Sequence, residues 1–219
     1  YGKIKQDNYL AAIRNAKELH SSNGKRDLEW ISLGPENIGG RITDLACNPQ
    51  EPATVYIAAA SGGIYKTTDT GLTWQQIFTD APVISIGDIA LDPNNSMVIY
   101  AGTGEANASS YSFLGDGLWK STDGGESWTH SGLESSAYIA RIIVDYNNSD
   151  RVFAATCGTL FSSSSERGVY RSADGGESWE QVLFLTDSTA AIDLVQHPTN
   201  PDILYTAMWE RIRGLNYRK

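Results

Sequence analysis

The 219-residue sequence has few of the residues that build metal, disulfide and redox sites. It contains two cysteines, Cys47 and Cys157, and its three histidines, His20, His130 and His197, are scattered without the spacing of metal ligands. The cysteines lie in or beside apolar, strand-like runs far apart in the chain, which disfavours a disulfide. We therefore predict two buried free thiols, no metal site and no cofactor.

Basic residues are also scarce: Lys and Arg number 17 against 26 Asp and Glu, a net charge of −9. Nucleic-acid binding needs a basic surface, so a nucleic-acid partner is excluded. The longest apolar runs have the length of strands, well short of the roughly 20 residues that cross a bilayer, and we expect no membrane insertion. There is no basic start followed by an apolar segment, and Tyr1 rather than Met suggests a processed or partial chain.

Glycine, tyrosine and tryptophan are plentiful, at 21, 11 and 6 residues, which favours an all-β chain with many turns. Three stretches are near copies of one another: GIYKTTDTGLTWQQI, GLWKSTDGGESWTHS and GVYRSADGGESWEQV. Their aspartates, Asp69, Asp123 and Asp174, are 54 and then 51 positions apart. A period near 50 residues is typical of four-stranded propeller blades.

Each unit divides in the same way. An apolar strand such as RITDLAC is followed by a turn rich in Asn, Pro and Asp, then by a second strand such as VYIAAA. A loop of variable length leads to the repeated hairpin. Four short strands joined by such turns predict one antiparallel meander per unit.

The repeated hairpins share a pattern whose members all have a local structural role. The Asp carboxylate can accept hydrogen bonds from amides of its own turn, Gly supplies a positive φ, the hydroxyls complete the turn, and Trp buries its ring between sheets. None of these roles needs a substrate, so the repeat marks the scaffold. The residues are Thr67, Asp69, Gly71, Thr73, Trp74, Ser121, Asp123, Gly125, Ser127, Trp128, Ser172, Asp174, Gly176, Ser178 and Trp179.

These hairpins resemble Asp boxes, or BNR repeats, of sialidases, xyloglucanase-type glycoside hydrolases, sortilin-type receptors and photosystem II assembly factors. With the start W-x-x-LGP-x-x-x-GGR, the chain resembles the N-terminal portion of secreted bacterial sortilin-like or glycosyl-hydrolase-like proteins. The resemblance implies an all-β fold: a seven-bladed β-propeller of four-stranded antiparallel blades, with the Asp boxes opposite the ligand face. It also implies a secreted or cell-surface location, with a bacterial origin.

We predict a helical N-terminal extension and linker at 1–27, then a partial β-propeller at 28–219. LEWISLGP aligns Trp30 with Trp74 and Trp128, so 28–34 is expected to be a closing strand of the last blade. The sequence stops after the second strand of a fourth unit, so the remaining blades of the same protein, or a second chain, are expected partners. The blades are placed at 41–80, 83–132, 138–185 and, for the start of the fourth, 190–219.

Polar and aromatic residues of the variable loops are the candidate binding residues, and a polysaccharide or a surface protein is the expected ligand. Arginines clamp carboxylates in sialidases, although the Phe-Arg-Ile-Pro motif of those enzymes is absent here; the alternative role is an ion pair between blades. Aromatic rings could stack on a sugar or lie buried between blades. The binding candidates are Arg41, Arg141, Tyr111, Trp209 and Arg211, with Phe113, Glu166, Arg167 and Arg213 as further loop residues.

Three carboxylates are candidates for catalysis: Glu105, Glu210 and Asp116. Glu105 and Glu210 occupy the same point of their units, two blades apart. A glycosidase needs an acid and a base roughly 5 to 10 Å apart, one with a raised pKa.

Two functions follow from these observations. The first is a non-catalytic platform that binds a glycan or a protein. The alternative is a glycoside hydrolase, xyloglucanase-like or acting on another polysaccharide, in which the propeller forms part of the cleft. A convergent carboxylate pair would distinguish the enzyme from the platform. An intracellular assembly factor is a third, less favoured, hypothesis because of the N-terminal extension.

Overall fold

The computed structural model describes residues 6–22, 40–79, 81–107 and 112–212. Within these residues there is one helix, α1 (Gln6–Ser22), and the rest is strands and their connections. The strands are β1 (Ile42–Cys47), β2 (Val55–Ala59), β3 (Gly63–Thr67), β4 (Gln75–Gln76), β5 (Ile86–Asp92), β6 (Asn95–Thr103), β7 (Leu118–Ser121), β8 (Thr129–His130), β9 (Ile139–Asp145), β10 (Asn148–Cys157), β11 (Arg167–Ser172), β12 (Glu180–Leu183), β13 (Thr189–Gln196) and β14 (Leu204–Glu210).

Within the described residues the strands form three four-stranded sheets and one two-stranded sheet, and inside each sheet every strand pairs antiparallel with the next along the chain. The first sheet is β1–β4, the second β5–β8, the third β9–β12 and the fourth β13–β14. Tight turns join the first two strands of a sheet; in the first sheet the Asn48 side chain accepts the amides of Gln50 and Glu51. The predicted antiparallel meanders are therefore present.

The first strands of successive sheets lie side by side. The hydroxyl of Thr43 on β1 donates to the Ile86 carbonyl on β5 over 2.9 Å. At Gly87 the approach is so close that a Cβ atom would lie 2.0 Å from the carbonyl oxygen of Ile139 on β9. Glycine is required there because any side chain would push the second and third sheets apart.

The hydrophobic core is divided into layers between successive sheets. Ile64 and Phe78 of the first sheet pack with Ile89 and Ile99 of the second. Further layers continue this packing toward the third and fourth sheets. The second and third sheets are thus covered by neighbours on both faces. The outer faces of the first and fourth sheets, beyond which the structure describes no further sheet, carry exposed apolar residues: Ile42, Leu45, Val195, Ile203 and Tyr205.

Each repeated aspartate closes the turn between the third and fourth strands of its sheet. Asp123 accepts the Ser127 amide over 2.9 Å and the Ser127 hydroxyl over 2.5 Å, and the Ser121 hydroxyl donates to it over 2.7 Å. Gly125 has a φ of 93°, which favours glycine, and its amide donates to Ser121 Oγ. Asp69 and Asp174 make the same contacts in their turns.

These aspartate turns also dock each sheet onto the one before it. The indole N–H of Trp128 donates to the Ile77 carbonyl of the first sheet over 3.0 Å, and that of Trp179 donates to Ser131 of the second over 2.7 Å. In return, Lys66 of the first sheet donates to the Gly124 carbonyl in the next turn over 3.0 Å. Trp74 differs from the expected burial: it is 42% exposed, because the structure describes no sheet before the first.

Hydrogen bonds lower the pKa of all three turn aspartates. The Thr73 hydroxyl, followed by the Thr73 amide, lowers the pKa of Asp69 to about 2, and Ser127 and Ser178 lower those of Asp123 and Asp174. The pKa of an aspartate in an unfolded chain is about 3.9. Because the folded pKa lies below this value, the ionised turns stabilise the fold above about pH 4, and this stabilisation is lost as the pH falls from about 4 to about 2.

Substituting Thr73→Val should raise the pKa of Asp69 toward the ordinary value of about 3.9, because the largest cause of its lowering is removed. The control is Thr70→Val, since the Thr70 hydroxyl donates to the carbonyl of Asp69 and not to its carboxylate. The carboxyl carbon shift of Asp69 measured by NMR from pH 6 to pH 1.5 gives both values. Titration of Asp69 near its ordinary pKa in the unaltered protein would show that the turn does not hold the carboxylate ionised.

The predictions for the N-terminal extension, the closing strand, the two cysteines and membrane insertion have different outcomes. Helix α1 lies within the predicted N-terminal extension and buries Leu10, whereas the predicted closing strand at 28–34 lies outside the described residues. Cys157 is a buried free thiol as expected. Cys47 is free but exposed, so the prediction of burial is wrong for it: like Leu45, it points to the uncovered side of the first sheet. No helix among the described residues is long and apolar enough to cross a membrane.

Candidate functional site

The variable loops lie at the opposite end of the sheets from the aspartate turns, because antiparallel strands place successive connections at alternate ends. We call this end the loop face. It comprises Arg41 before β1, the connections 60–62 and 158–166, residues 104–107 and 112–117 of the connection between β6 and β7, and residues 209–211 at the end of β14. Most of the candidates from the sequence therefore share one face.

Glu105 forms an ion pair with Arg41 that joins the second sheet to the first. The Glu105 side chain is 1% exposed, whereas that of Arg41 is 53% exposed. The guanidinium thus lies over a buried carboxylate. Arg41 was a candidate for ligand binding and Glu105 a candidate for catalysis, and in the structure the two side chains pair with each other.

Asp116 is held inside the second sheet. Its carboxylate accepts the Trp119 indole N–H over 2.9 Å, and its amide donates to the Thr103 hydroxyl over 2.8 Å. Asp116 is fully buried. These contacts make it a structural residue of the β6–β7 connection.

Glu210 and Trp209 are exposed at the end of β14, whereas Arg211, which follows them, is buried. The Ser188 hydroxyl donates to the Glu210 carboxylate over 3.2 Å. The guanidinium carbon of Arg211 lies 4.1 Å from the centroid of the Trp209 ring, a cation–π contact. Of the three predicted catalytic carboxylates, Glu210 is the one that is exposed.

Glu105 and Glu210 occupy the same position of their sheets, in register. Each lies two residues beyond the partner of the residue that precedes the register shift in the first strand, Thr103 with Ile86 and Met208 with Ala191, although in the fourth sheet the pairing continues to Glu210 with Thr189. Their surroundings differ, since one is buried under Arg41 and the other is exposed beside Ser188. Within the described residues these contacts do not bring the two carboxylates together.

Arg141 joins the second, third and fourth sheets. Its Nε donates to Asp193 over 2.8 Å and its Nη1 to Asp88 over 3.0 Å, and Asp44 lies 3.8 Å away. The other Asp88 oxygen accepts the Ile142 amide over 2.7 Å. Arg141 is therefore engaged in ion pairs between sheets.

The electrostatics of this cluster follow from its burial. Desolvation raises the pKa of Asp88 well above its ordinary value, and the charge of Arg141 opposes that shift. Desolvation works to lower the pKa of Arg141, but the carboxylates of Asp88 and Asp193 raise it overall. The cluster therefore links the first strands of neighbouring sheets through ion pairs, and each charged group in it is stabilised by its oppositely charged neighbours.

Arg167 is fully buried, which its position in a loop segment did not indicate. Its Nη1 donates to the carbonyls of Ser188 and Arg211, at 3.1 and 2.9 Å, and its Nη2 to those of Thr159 and Ser162, at 2.7 and 3.2 Å. Desolvation lowers its pKa. It holds together three segments of the loop face, a role without a signal in the sequence.

The remaining candidates are of three kinds. Glu166 accepts the Tyr170 hydroxyl over 2.9 Å and so belongs to the third sheet. Phe113 is exposed and lines a cavity of about 240 Å³ between the loop face and α1. Tyr111 and Arg213 lie outside the described residues. Within the described part of the chain no three His, Cys, Asp or Glu residues are arranged to hold a metal ion.

Comparison with curated proteins finds xyloglucanases. The chain is 29% identical over 175 residues to xyloglucanase Xgh74A of Acetivibrio thermocellus, a match to 64% of this chain and 20% of that enzyme. It is 28% identical over 183 residues to a xyloglucanase of Hypocrea jecorina, with the same two shares. The chain thus spans about a fifth of the length of these relatives. No protein-family model matches it.

Comparison with solved structures finds GH74 enzymes. An ancestral GH74 enzyme matches 77% of this chain and 22% of its own, with a TM-score of 0.64 and 26% identity. The chain has a β-propeller fold. The GH74 enzyme of Niastella koreensis matches 76% of the propeller chain and 26% of its own, with a TM-score of 0.57 and 25% identity. The predicted fold class is confirmed, whereas membership of an Asp-box or sortilin-like family stays a prediction.

Proposed function

We propose that the chain is a portion of a secreted or cell-surface, bacterial β-propeller of glycoside-hydrolase type that binds a neutral polysaccharide such as xyloglucan. The observation that carries the proposal is the similarity to xyloglucanases over 64% of the chain. It favours the glycoside-hydrolase alternative over the non-catalytic platform. The remaining blades of the longer protein would complete the cleft.

The loop face supports a neutral ligand over an acidic one. Arg41 and Arg141, the candidates for clamping a carboxylate, already face Glu105 and Asp88. A sialidase-type arginine clamp would have to break these pairs and leave buried carboxylates unpaired, which is costly. Exposed aromatic surface, by contrast, remains available for a sugar ring.

The three predicted catalytic carboxylates differ in burial. Glu105 and Asp116 are buried and engaged in structural contacts, so neither is placed to protonate a glycosidic oxygen. Glu210 is exposed and is the carboxylate we assign to the cleft. Its catalytic partner would come from another part of the protein.

The same burial favours a second candidate function. If no second carboxylate faces Glu210 in the whole propeller, the loop face binds polysaccharide without cleaving it. This is the platform of the first hypothesis with a glycan as its ligand.

The experiment is to incubate the full-length protein with xyloglucan and to measure both binding, by affinity electrophoresis, and the release of reducing ends. Cleavage supports the hydrolase, binding without cleavage supports the platform, and the absence of both overturns the proposal. In a cleaving protein, Glu210→Gln should lower the rate by about 100-fold or more if Glu210 is the acid or base. Glu177→Gln, on the exposed aspartate turn at the opposite end, is the matched control.

A further inference from the structure

The connection between β4 and β5 lies at the junction of the first two sheets. The Gly63 amide of β3 donates to the Ile84 carbonyl over 2.8 Å, and the Ser85 hydroxyl donates to the Ala60 carbonyl over 2.7 Å. From the second sheet, the Gly104 amide donates to the Ser85 carbonyl over 2.8 Å. This connection is therefore held between two described sheets.

The connection between β6 and β7 lies in the same way between the second and third sheets. Its Gly115 amide donates to the Ala137 carbonyl over 2.8 Å, and the Tyr138 hydroxyl donates to the Ser112 carbonyl over 3.3 Å. Ala137 and Tyr138 lie directly before β9 of the third sheet. The exposure of side chains on these two connections therefore does not arise from the outer face of the first or the fourth sheet.

These two connections carry apolar side chains at the loop face. Ile84 and Phe113 are each 53% exposed, and Leu114 beside them is half-buried. We call these three residues the apolar patch. Together with Tyr9 of α1 and the exposed Ser61, the patch lines the cavity of about 240 Å³, and no charged side chain of the described residues lines it. Such a lining suits the apolar face of a neutral sugar ring, with a hydroxyl for one of its oxygens.

Helix α1 meets this part of the loop face through one turn. Leu10 is 4% exposed and is the one buried side chain among the described residues of the helix. Tyr9, which lines the cavity, and Ile13 are half-buried, and their spacing places them on one side of the helix. Residues 11–12 and 14–16 are exposed. The helix is therefore held by few side chains.

The packing between α1 and the apolar patch is incomplete. Protein interiors contain few voids larger than a water molecule, whereas a cavity of about 240 Å³ lies between Tyr9 and the patch. Side chains around a void lose the contacts that a closely fitting partner would make. A helix held by one turn beside such a void can be displaced by a ligand that fits the patch better.

We propose that α1 is an internal competitor of the ligand: it partly covers the apolar patch, and a pyranose ring of a neutral polysaccharide displaces the helix to stack on Phe113. A ligand that binds only the uncovered patch has its apparent affinity reduced by the fraction of molecules in which the patch is uncovered. The helix thereby sets the affinity of the loop face. This inference rests on the proposed function and adds to it a sugar site at the junction of the first three sheets and an element that regulates it.

The first test is calorimetric titration of the full-length protein with a xyloglucan oligosaccharide. Leu10→Asp places a charge in the buried contact of α1, which releases the helix, and should tighten binding about tenfold. Ala11→Asp is the matched control, because it adds the same charge at the next, exposed position of the same helix, and it should bind as the unaltered protein does. Phe113→Ala should weaken binding about tenfold, because the stacking surface is lost.

Hydrogen exchange followed by mass spectrometry reports on the helix itself. The amides of α1 should exchange faster when the oligosaccharide is bound, and in Leu10→Asp they should exchange fast without it, while the exchange of the strands stays unchanged. Faster exchange of the strands in Leu10→Asp would show that α1 stabilises the fold rather than regulating the site, and would overturn the competition.

The outcomes for the helix and for the proposed function are distinct. If the unaltered protein binds and Leu10→Asp binds equally or more weakly, α1 either plays no part in binding or forms a wall of the site, and the competition is overturned while the proposed function stands. Unchanged binding by Phe113→Ala would show that the sugar lies elsewhere and would overturn the patch. No binding by the unaltered protein would overturn the proposed function and this inference with it.

Discussion

Replacing Arg167 by Met is expected to lower the free energy of unfolding by about 3 kcal/mol or more. The guanidinium donates to the carbonyls of Thr159, Ser162, Ser188 and Arg211. Each buried carbonyl left without a donor costs about 1–3 kcal/mol, and removal of one buried charge offsets part of the sum. Carbonyl groups near the surface would form hydrogen bonds with water instead, so the expected loss in free energy of unfolding is at the lower end of this sum.

Two further variants make the Arg167 prediction specific. Arg167→Lys should not restore stability, because one ammonium group cannot reach four carbonyls as a planar guanidinium does. Arg171→Met is the matched control on the same strand: Arg171 is exposed and pairs with exposed Glu180, and its loss should cost less than about 1 kcal/mol. Urea unfolding of the three variants measures these differences. A stability of Arg167→Met equal to that of Arg171→Met would contradict the structural role.

Replacing Arg141 by Met is expected to cost about 2–4 kcal/mol at neutral pH, because it leaves the buried Asp88 carboxylate without its cation. The value is set below that of a wholly buried pair because the Arg141 side chain is 38% exposed. Asp193→Asn removes the exposed partner of Arg141 and should cost less than about 1 kcal/mol.

The double variant Arg141→Met with Asp88→Asn tests whether the unpaired charge of Asp88 causes the loss of stability in Arg141→Met. An asparagine oxygen can still accept the Ile142 amide but carries no charge, so the double variant should recover most of the stability that Arg141→Met loses. The deficit of Arg141→Met should also shrink as the pH falls, because a raised folded pKa means that ionisation of Asp88 destabilises the fold only above the unfolded pKa of about 3.9. A deficit that is independent of pH would assign the loss to packing of the arginine stem.

Arg141 and Arg167 are both engaged in contacts that hold the fold together, so they are not available to bind a ligand. Arg141 and Arg167 were candidate ligand-binding residues by their position in the sequence, and the structure uses each to tie neighbouring segments together. Of the candidate carboxylates, Glu210 makes no such tie between sheets among the described residues, since it accepts the Ser188 hydroxyl within its own sheet, and it is the one that the proposed function assigns to the cleft.

The sequence by itself determined the sheets and their aspartate turns. Strand alternation and turn chemistry act over a few residues, so Asp123 meets Ser121 and Ser127 whatever lies around the turn. The all-β propeller fold followed from the spacing of three such turns.

Only the tertiary structure decided which charged and aromatic side chains are exposed. Glu105 and Glu210 are equivalent in the repeat, yet Arg41 covers the first and nothing of the kind was visible in the pattern around either. The third sheet packs directly against Gly104, which precedes Glu105, whereas the structure describes no sheet after the fourth, to which Glu210 belongs. Exposure depends on how one sheet packs on the next, and that contact joins residues 43 to 54 positions apart, beyond the reach of any local pattern.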